Sequence, residues 1–157
     1  MDKVKSILFV CTGNSCRSIM AEGLLKQYLK AFGRDDIEVR SAGVGAVDGL
    51  PPTNGTIEVM NRKDVDVSNY RSKKLTNDLI KNSDLILVME YSHKDEVIRR
   101  MPEARSKTYL LKEFGLDEKV VRPDGFSVPD PIGRPIKDYE YSLDTIKSEI
   151  ERIVKIL

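Results

Sequence analysis

Ser6-Ile7-Leu8-Phe9-Val10 runs straight into Cys11-Thr12-Gly13-Asn14-Ser15-Cys16-Arg17-Ser18, and the fold is decided by that passage. Ser6–Val10 reads as a continuous apolar run, the mark of a strand buried on both faces. Ile19–Phe32 follows with Met20, Leu24, Leu25, Tyr28, Leu29 and Phe32 at helical spacing, and Gly33 ends it as a C-cap would. A buried strand, a short polar turn and a helix form the first half of a βαβ unit.

The alternation continues outward. Ile37–Ala42 predicts a second strand, and Gly43 to Pro52 a loop. Helices are predicted through Thr56–Asn61 and through Asn77–Ser83, the latter with Thr76 as its N-cap. Leu85–Met89 is a third buried strand, Tyr91–Met101 a helix stopped by Pro102, and Thr108–Leu111 a fourth strand. Asp117 to Pro135 holds four prolines and two glycines and reads as a long surface loop. Ile136–Leu157 closes the chain as an amphipathic helix, with Leu143, Ile146, Ile150, Ile153 and Val154 on one stripe. No repeat, low-complexity tract or linker interrupts residues 1–157, which predicts one α/β domain with a parallel sheet. Ligands of such sheets bind beyond the carboxyl ends of strands, near the reversal of strand order. The end of the first strand is therefore the place to look, and it holds both cysteines.

Bulk properties narrow the function. The chain has 157 residues, 40% hydrophobic and 32% charged, and its mean hydropathy is −0.35. Lys and Arg number 26 against 25 Asp and Glu, a net charge of +1, so no broad basic surface for nucleic acid is indicated. A local cationic pocket needs only one or two side chains and some oriented amides. No apolar run approaches a membrane span, and Ile7 to Val10 is too short for a signal-peptide core. Two cysteines lying close together do not make a secreted disulfide scaffold, which points to a reducing cytoplasm.

Gly13 and Asn14 tolerate left-handed conformations, and a helix begins at about Ser18. Such a turn can aim successive N–H groups inward as an anion nest at a helix N-terminus. Arg17 would add a planar, permanently charged fork for two phosphate oxygens. The same cradle favours a thiolate at its base, and Ser18 would donate to it, so a depressed Cys11 pKa is expected. Blander readings stand beside this one. Cys11 could be a buried structural thiol. Cys11 and Cys16 could be half of a zinc site, although one histidine and no further cysteine leave carboxylates to complete it. A nucleotide loop would need G-x-G-x-x-G or G-x-x-x-x-G-K-[ST], and neither is present.

VCTGNSCRSIMAEGLLK resembles the active-site signature of the low-molecular-weight protein tyrosine phosphatases, V-C-x-G-N-x-C-R-S-P-x-A-E. Ser41-Ala42-Gly43 resembles the family's S-A-G after its second strand, and Asp130-Pro131 its D-P loop. The likeness runs the length of the chain. It implies four parallel strands with helices on both faces and a phosphate-binding loop after the first strand. It also implies a cysteine-dependent protein phosphatase acting on phosphotyrosine-type monoesters, with no metal and no cofactor. Phosphorylated proteins or peptides would be its partners, and inorganic phosphate its product and inhibitor; nucleic acid and membrane are not implied. Position by position, Cys11 is the nucleophile and Arg17 the phosphate clamp. Thr12, Gly13, Asn14, Ser15 and Cys16 contribute the loop that binds the phosphoryl oxygens. Ser18 supports the thiolate, Asn14 and Ser41 hold the loop's shape, and Asp130 is the general acid. Cys16 matches a neighbour thiol that can form a reversible disulfide with the nucleophile; a packing cysteine is the other reading.

Three positions depart from the family pattern. Ile19 replaces a proline, Tyr70 a histidine that braces the loop, and Ile132 an aromatic that forms one wall for the substrate ring. Ser15 stands where tyrosine phosphatases carry Ile or Leu, and where the protein arginine phosphatase branch carries a hydroxyl residue. Phosphoarginine is thus the alternative substrate. Arsenate reductase is a further reading, which looks for two downstream redox cysteines, and a non-catalytic phosphate-binding module is the last.

Overall fold

Along β1 (Ser6–Cys11), Ile7, Phe9 and Cys11 join the apolar cluster on one face of the sheet, and Leu8 and Val10 that on the other. All six residues are buried, as a central strand covered on both sides requires. The computed structural model describes residues 3–157. In it β1 pairs in parallel with β2 (Glu38–Gly43) and with β3 (Leu85–Val88), and β3 pairs in parallel with β4 (Thr108–Leu110). The order β2-β1-β3-β4 is the four-stranded parallel sheet expected from the sequence.

Helices cover both faces. Leu24 of α1 (Arg17–Ala31), Met60 of α2 (Asn54–Asn61) and Ile146 and Ile150 of α5 (Ile136–Val154) share a cluster with Ile7, Phe9 and Leu87. On the opposite face Ile80 of α3 (Asn77–Lys81), Val97 of α4 (Tyr91–Arg100) and Ala104 of a 3-10 helix (Pro102–Lys107) close over Leu8, Val10 and Ile86. Each large apolar side chain so buried contributes about 1.5–3 kcal/mol, so neither face is dispensable. Thr76 caps α3 by accepting from the Leu79 amide at 3.2 Å. Gly33 takes φ +68° after α1, which lets the Arg34 amide reach back to the Leu29 carbonyl at 2.8 Å. Element ends differ from the sequence reading by up to three residues. The 3-10 helix was not expected, because Pro102 stops an α-helix yet is accepted at the first position of a new helical turn.

The chain leaves β1, builds β2 on one side and returns to the other side as β3. The loops that follow β1 and β3 therefore diverge and open a crevice. The long segment from Asp117 to Pro135 closes over it without a helix or strand. Buried Val128 donates its amide to the Met89 carbonyl at 2.9 Å, and the Ser142 hydroxyl holds the Pro129 carbonyl at 2.9 Å. Asp130 is thereby delivered to the carboxyl end of β3. Among the described residues no helix is long and apolar enough to cross a membrane.

Candidate active site

Cys11 ends β1 and α1 begins at Arg17, so five residues turn the chain around the Cys11 sulfur. Asn14 adopts the left-handed conformation at φ +50°, and its amide donates to Cys11 Sγ at 3.2 Å. Gly13 does not take a positive φ, so the left-handed step belongs to Asn14 alone. Gly43, paired with Cys11 in register, has a role the sequence did not suggest. A Cβ there would stand 2.5 Å from the Thr12 carbonyl oxygen and 2.8 Å from the Asn14 nitrogen. Only glycine lets β2 pass this close. The amides of Val44 and Gly45 then tie down the Cys11 and Thr12 carbonyls at 2.9 and 2.8 Å.

The polar groups beneath the turn have a single consistent direction. Asn14 Oδ1 accepts the Lys73 amide at 2.9 Å, so its Nδ2 faces inward. That nitrogen donates to Ser18 Oγ at 2.7 Å and to Ser41 Oγ at 2.9 Å. Ser41 spends its own proton on Glu22 Oε1 at 2.6 Å. The Ser18 proton remains for Cys11 Sγ, 2.9 Å away. Burial nevertheless pushes the Cys11 thiol up. The Ser18 hydroxyl, the Ser18 amide, Arg17 and the Asn14 amide pull it down, and the net direction is upward. This opposes the depression expected from the sequence. Its cause is full burial. Arg17 itself lies against two carboxylates.

Those carboxylates are Glu90 and Asp130. Arg17 is buried; its Nη1 donates to the Val128 carbonyl at 2.8 Å and lies 3.3 Å from Glu90 Oε2. Its Nη2 lies 3.5 Å from Asp130 Oδ2. Glu90 caps α4 at the carboxyl end of β3, and the sequence reading passed over it. It also passed over His93, the sole histidine. His93 Nδ1 accepts the Glu90 amide at 3.1 Å, so its proton sits on Nε2 and is donated to Thr12 Oγ1 at 2.9 Å. Burial, then the charge of Arg17, lowers the His93 pKa to about 4, with Glu90 and Asp130 opposing. Both residues directly follow a buried apolar strand beside β1, and the rule that located Cys11 applies equally to that strand end.

Cys16 lies at the foot of α1, with Thr53 Oγ1 at 3.3 Å and Tyr139 Oη at 4.0 Å. Both cysteines are free thiols. Ser15 is half-buried, and its carbonyl accepts the Thr53 amide and the Thr56 hydroxyl. Among the described residues, the Ser15 hydroxyl's hydrogen-bond partner is Cys16 Sγ, at 3.8 Å. Ile132 is 53% exposed beyond Asp130, whose Oδ1 accepts the Ile132 amide at 3.1 Å. Among the described residues no group of three His, Cys, Asp or Glu side chains is placed to hold a metal ion. Buried thiol, inward amides, arginine and loop carboxylate thus converge at one strand end, a set able to hold a tetrahedral anion against a sulfur nucleophile.

Residues 6–157 match the family model described as low molecular weight phosphotyrosine protein phosphatase. A protein-arginine-phosphatase of Geobacillus stearothermophilus is 37% identical over 151 residues, 96% of this chain and 95% of that one. An arsenate reductase of Staphylococcus aureus (strain Newman) is 38% identical over 148 residues, 94% of each chain. The crystal structure of a low molecular weight protein tyrosine phosphatase from T. tengcongensis superimposes with a TM-score of 0.87. It is 37% identical and covers 97% of this chain and 99% of its own.

Proposed function

The chain belongs to the low molecular weight phosphotyrosine protein phosphatase family, and on that premise we propose how its residues divide the work of a cysteine-dependent protein phosphatase. Cys11 Sγ, as the thiolate that Ser18, Arg17 and the Asn14 amide favour against burial, attacks the phosphorus of a phosphorylated side chain, and the bond from phosphorus to the leaving oxygen breaks. Asp130, acting as the general acid, gives a proton to that oxygen. The loop amides from Thr12 to Arg17 and the Arg17 fork hold the three equatorial oxygens, where charge is concentrated in the transition state. Water then attacks the cysteinyl-phosphate while Asp130 takes its proton. The P–S bond breaks, and inorganic phosphate leaves with the thiolate restored.

The observation that carries this reading is the convergence on Cys11 Sγ of the Ser18 hydroxyl and the Asn14 amide, beside an arginine that also touches Asp130. A structural thiol would not need a buried arginine and a directed hydroxyl chain around it.

Phosphotyrosine-type monoesters are the first substrate class. A second reading, phosphoarginine, is favoured by the Ser15 hydroxyl, whose hydrogen-bond partner among the described residues is a thiol at 3.8 Å. That oxygen is free to accept an N–H of a guanidinium leaving group. Arsenate reduction has less support, because the chain's two cysteines both lie in the loop and none follows Cys16. Comparing kcat/KM on matched phosphotyrosine and phosphoarginine peptides decides between the first two readings. A ratio of tenfold or more in either direction names the substrate class, and activity on neither removes the phosphatase reading.

A further inference from the structure

Tyr70 occupies the place of the histidine that, by family resemblance, would brace the loop, yet the loop is braced. The two oxygens of Glu22, a largely buried residue of α1, make different contacts. Oε1 accepts the Ser41 proton at 2.6 Å, and Oε2 accepts from Lys26 Nζ at 2.6 Å, one helical turn further on. From Ser41 the contacts pass through Asn14 Nδ2 to Ser18 Oγ and end at Cys11 Sγ. Each hydroxyl has one proton, so the order of donors depends on Glu22 remaining an acceptor. If Glu22 were turned away, Ser41 would have a proton to offer Asn14 instead of a lone pair. Asn14 would then rotate, and Ser18 would lose the contact that directs its proton at the sulfur.

We propose that Lys26 is a positioning residue for Cys11: its pairing with Glu22 keeps that carboxylate seated as an acceptor, and so orients Ser41, Asn14 and Ser18 toward the sulfur. The inference rests on the reading of Cys11 as nucleophile. Tyr70 contributes its ring, whose face lies 5.1 Å from Lys26 Nζ in a cation–π contact. Arg71 and Lys73 line the same surface cleft, but the ion pair with Glu22 is made by Lys26. Burial works against the Lys26 ammonium, and Glu22, aided by Tyr70, outweighs it, so the side chain holds its proton more firmly than usual. The Lys26 side chain is 46% exposed, and a pair so open to water adds little to folding stability. Its effect is on orientation.

The test is alkylation of Cys11 by iodoacetamide, followed across pH by mass spectrometry of the peptide that carries it, in wild type, Lys26→Met and Lys26→Arg. Arg17, with Glu90 and Asp130 beyond it and neutral His93 nearby, belongs to the other side of the loop and is unchanged in all three proteins. Loss of the brace weakens the hydrogen bond to the thiolate and raises the thiol pKa by about half a unit to one unit. Alkylation of Lys26→Met at pH 6 then falls about threefold to tenfold, its rate at high pH matches wild type, and Lys26→Arg restores the profile. Unchanged profiles overturn the proposal, as does a loss equal at every pH or a failure of arginine to rescue. Cys11→Ser, assayed for turnover, is the separate control. Turnover surviving in that variant would remove the nucleophile reading itself, whatever Lys26 does.

Discussion

Arg17 Nη2 lies 3.5 Å from Asp130 Oδ2 while Arg17 Nη1 holds the Val128 carbonyl at 2.8 Å. One buried guanidinium therefore fixes the loop of the proposed acid at two points, and does so from the first turn of the helix that closes the anion cradle. On the proposed mechanism, a phosphoryl group seated against Arg17 has the acid's carboxyl group beside the same guanidinium. The proposed clamp and the proposed acid are thus tied by one side chain, and proximity of this kind is what lowers the barrier of a two-step transfer.

Asp130→Ala should separate leaving groups. Esters with poor leaving groups, which need a proton in the transition state, should lose roughly 10²–10⁴-fold in kcat/KM. Activated esters should lose far less in the phosphoryl-transfer step. A loss of the same size across the series would make Asp130 a structural residue of its loop.

Ser18→Ala removes a donor that pulls the Cys11 thiol down against its burial. The thiol pKa should rise, so a smaller fraction is thiolate at any pH below it. The acid limb of kcat/KM should move to higher pH while the rate on the plateau changes less. Coincident pH profiles for wild type and variant would show that Ser18 does not govern ionisation.

Ser15→Ile tests the choice of substrate. If Ser15 accepts a guanidinium N–H, the variant strands that donor at a cost of about 1–3 kcal/mol, and phosphoarginine kcat/KM falls roughly tenfold or more. Phosphotyrosine activity should hold or rise, since the new side chain adds apolar surface. A ratio that does not move, in an enzyme that prefers phosphotyrosine, rules out the arginine reading.

His93 predicts a pH dependence of stability. Its folded pKa of about 4 lies below the ordinary 6.5. Between those values the unfolded chain binds more proton than the folded one, so stability falls as pH drops through this window and levels off below it. Full expression of the shift is of the order of 3 kcal/mol. Urea midpoints measured from pH 7 to pH 4 should decline more steeply in wild type than in His93→Gln. Parallel curves would mean that His93 protonates without penalty.

Much of this site is legible in the sequence. The apolar run before Cys11 and the helical spacing after Ser18 determine a strand–loop–helix unit, because burial on two faces leaves few other arrangements for such residues. Gly43 could not be read in this way. Its need arises from the Thr12 carbonyl passing 2.5 Å from where its Cβ would stand, a contact between segments distant in the chain. Glu90 and His93 escaped for a related reason. One carboxylate among 25 acids and one histidine carry no spacing signal, and only the pairing of β3 with β1 brings them to Arg17 and Thr12. The sequence displays the donors around the Cys11 sulfur but not the depth of its burial, which works against them.

The most direct test of the chemistry is to trap the intermediate. Because Asp130 is proposed to activate water in the second step, Asp130→Ala mixed with an activated aryl phosphate should form the cysteinyl-phosphate faster than it is hydrolysed. Rapid acid quench and mass spectrometry should then find phosphate on the peptide containing Cys11, at the sulfur of Cys11 and not of Cys16. Phosphate on any other residue, or turnover with no phosphorylated enzyme at any quench time, would contradict Cys11 as the nucleophile.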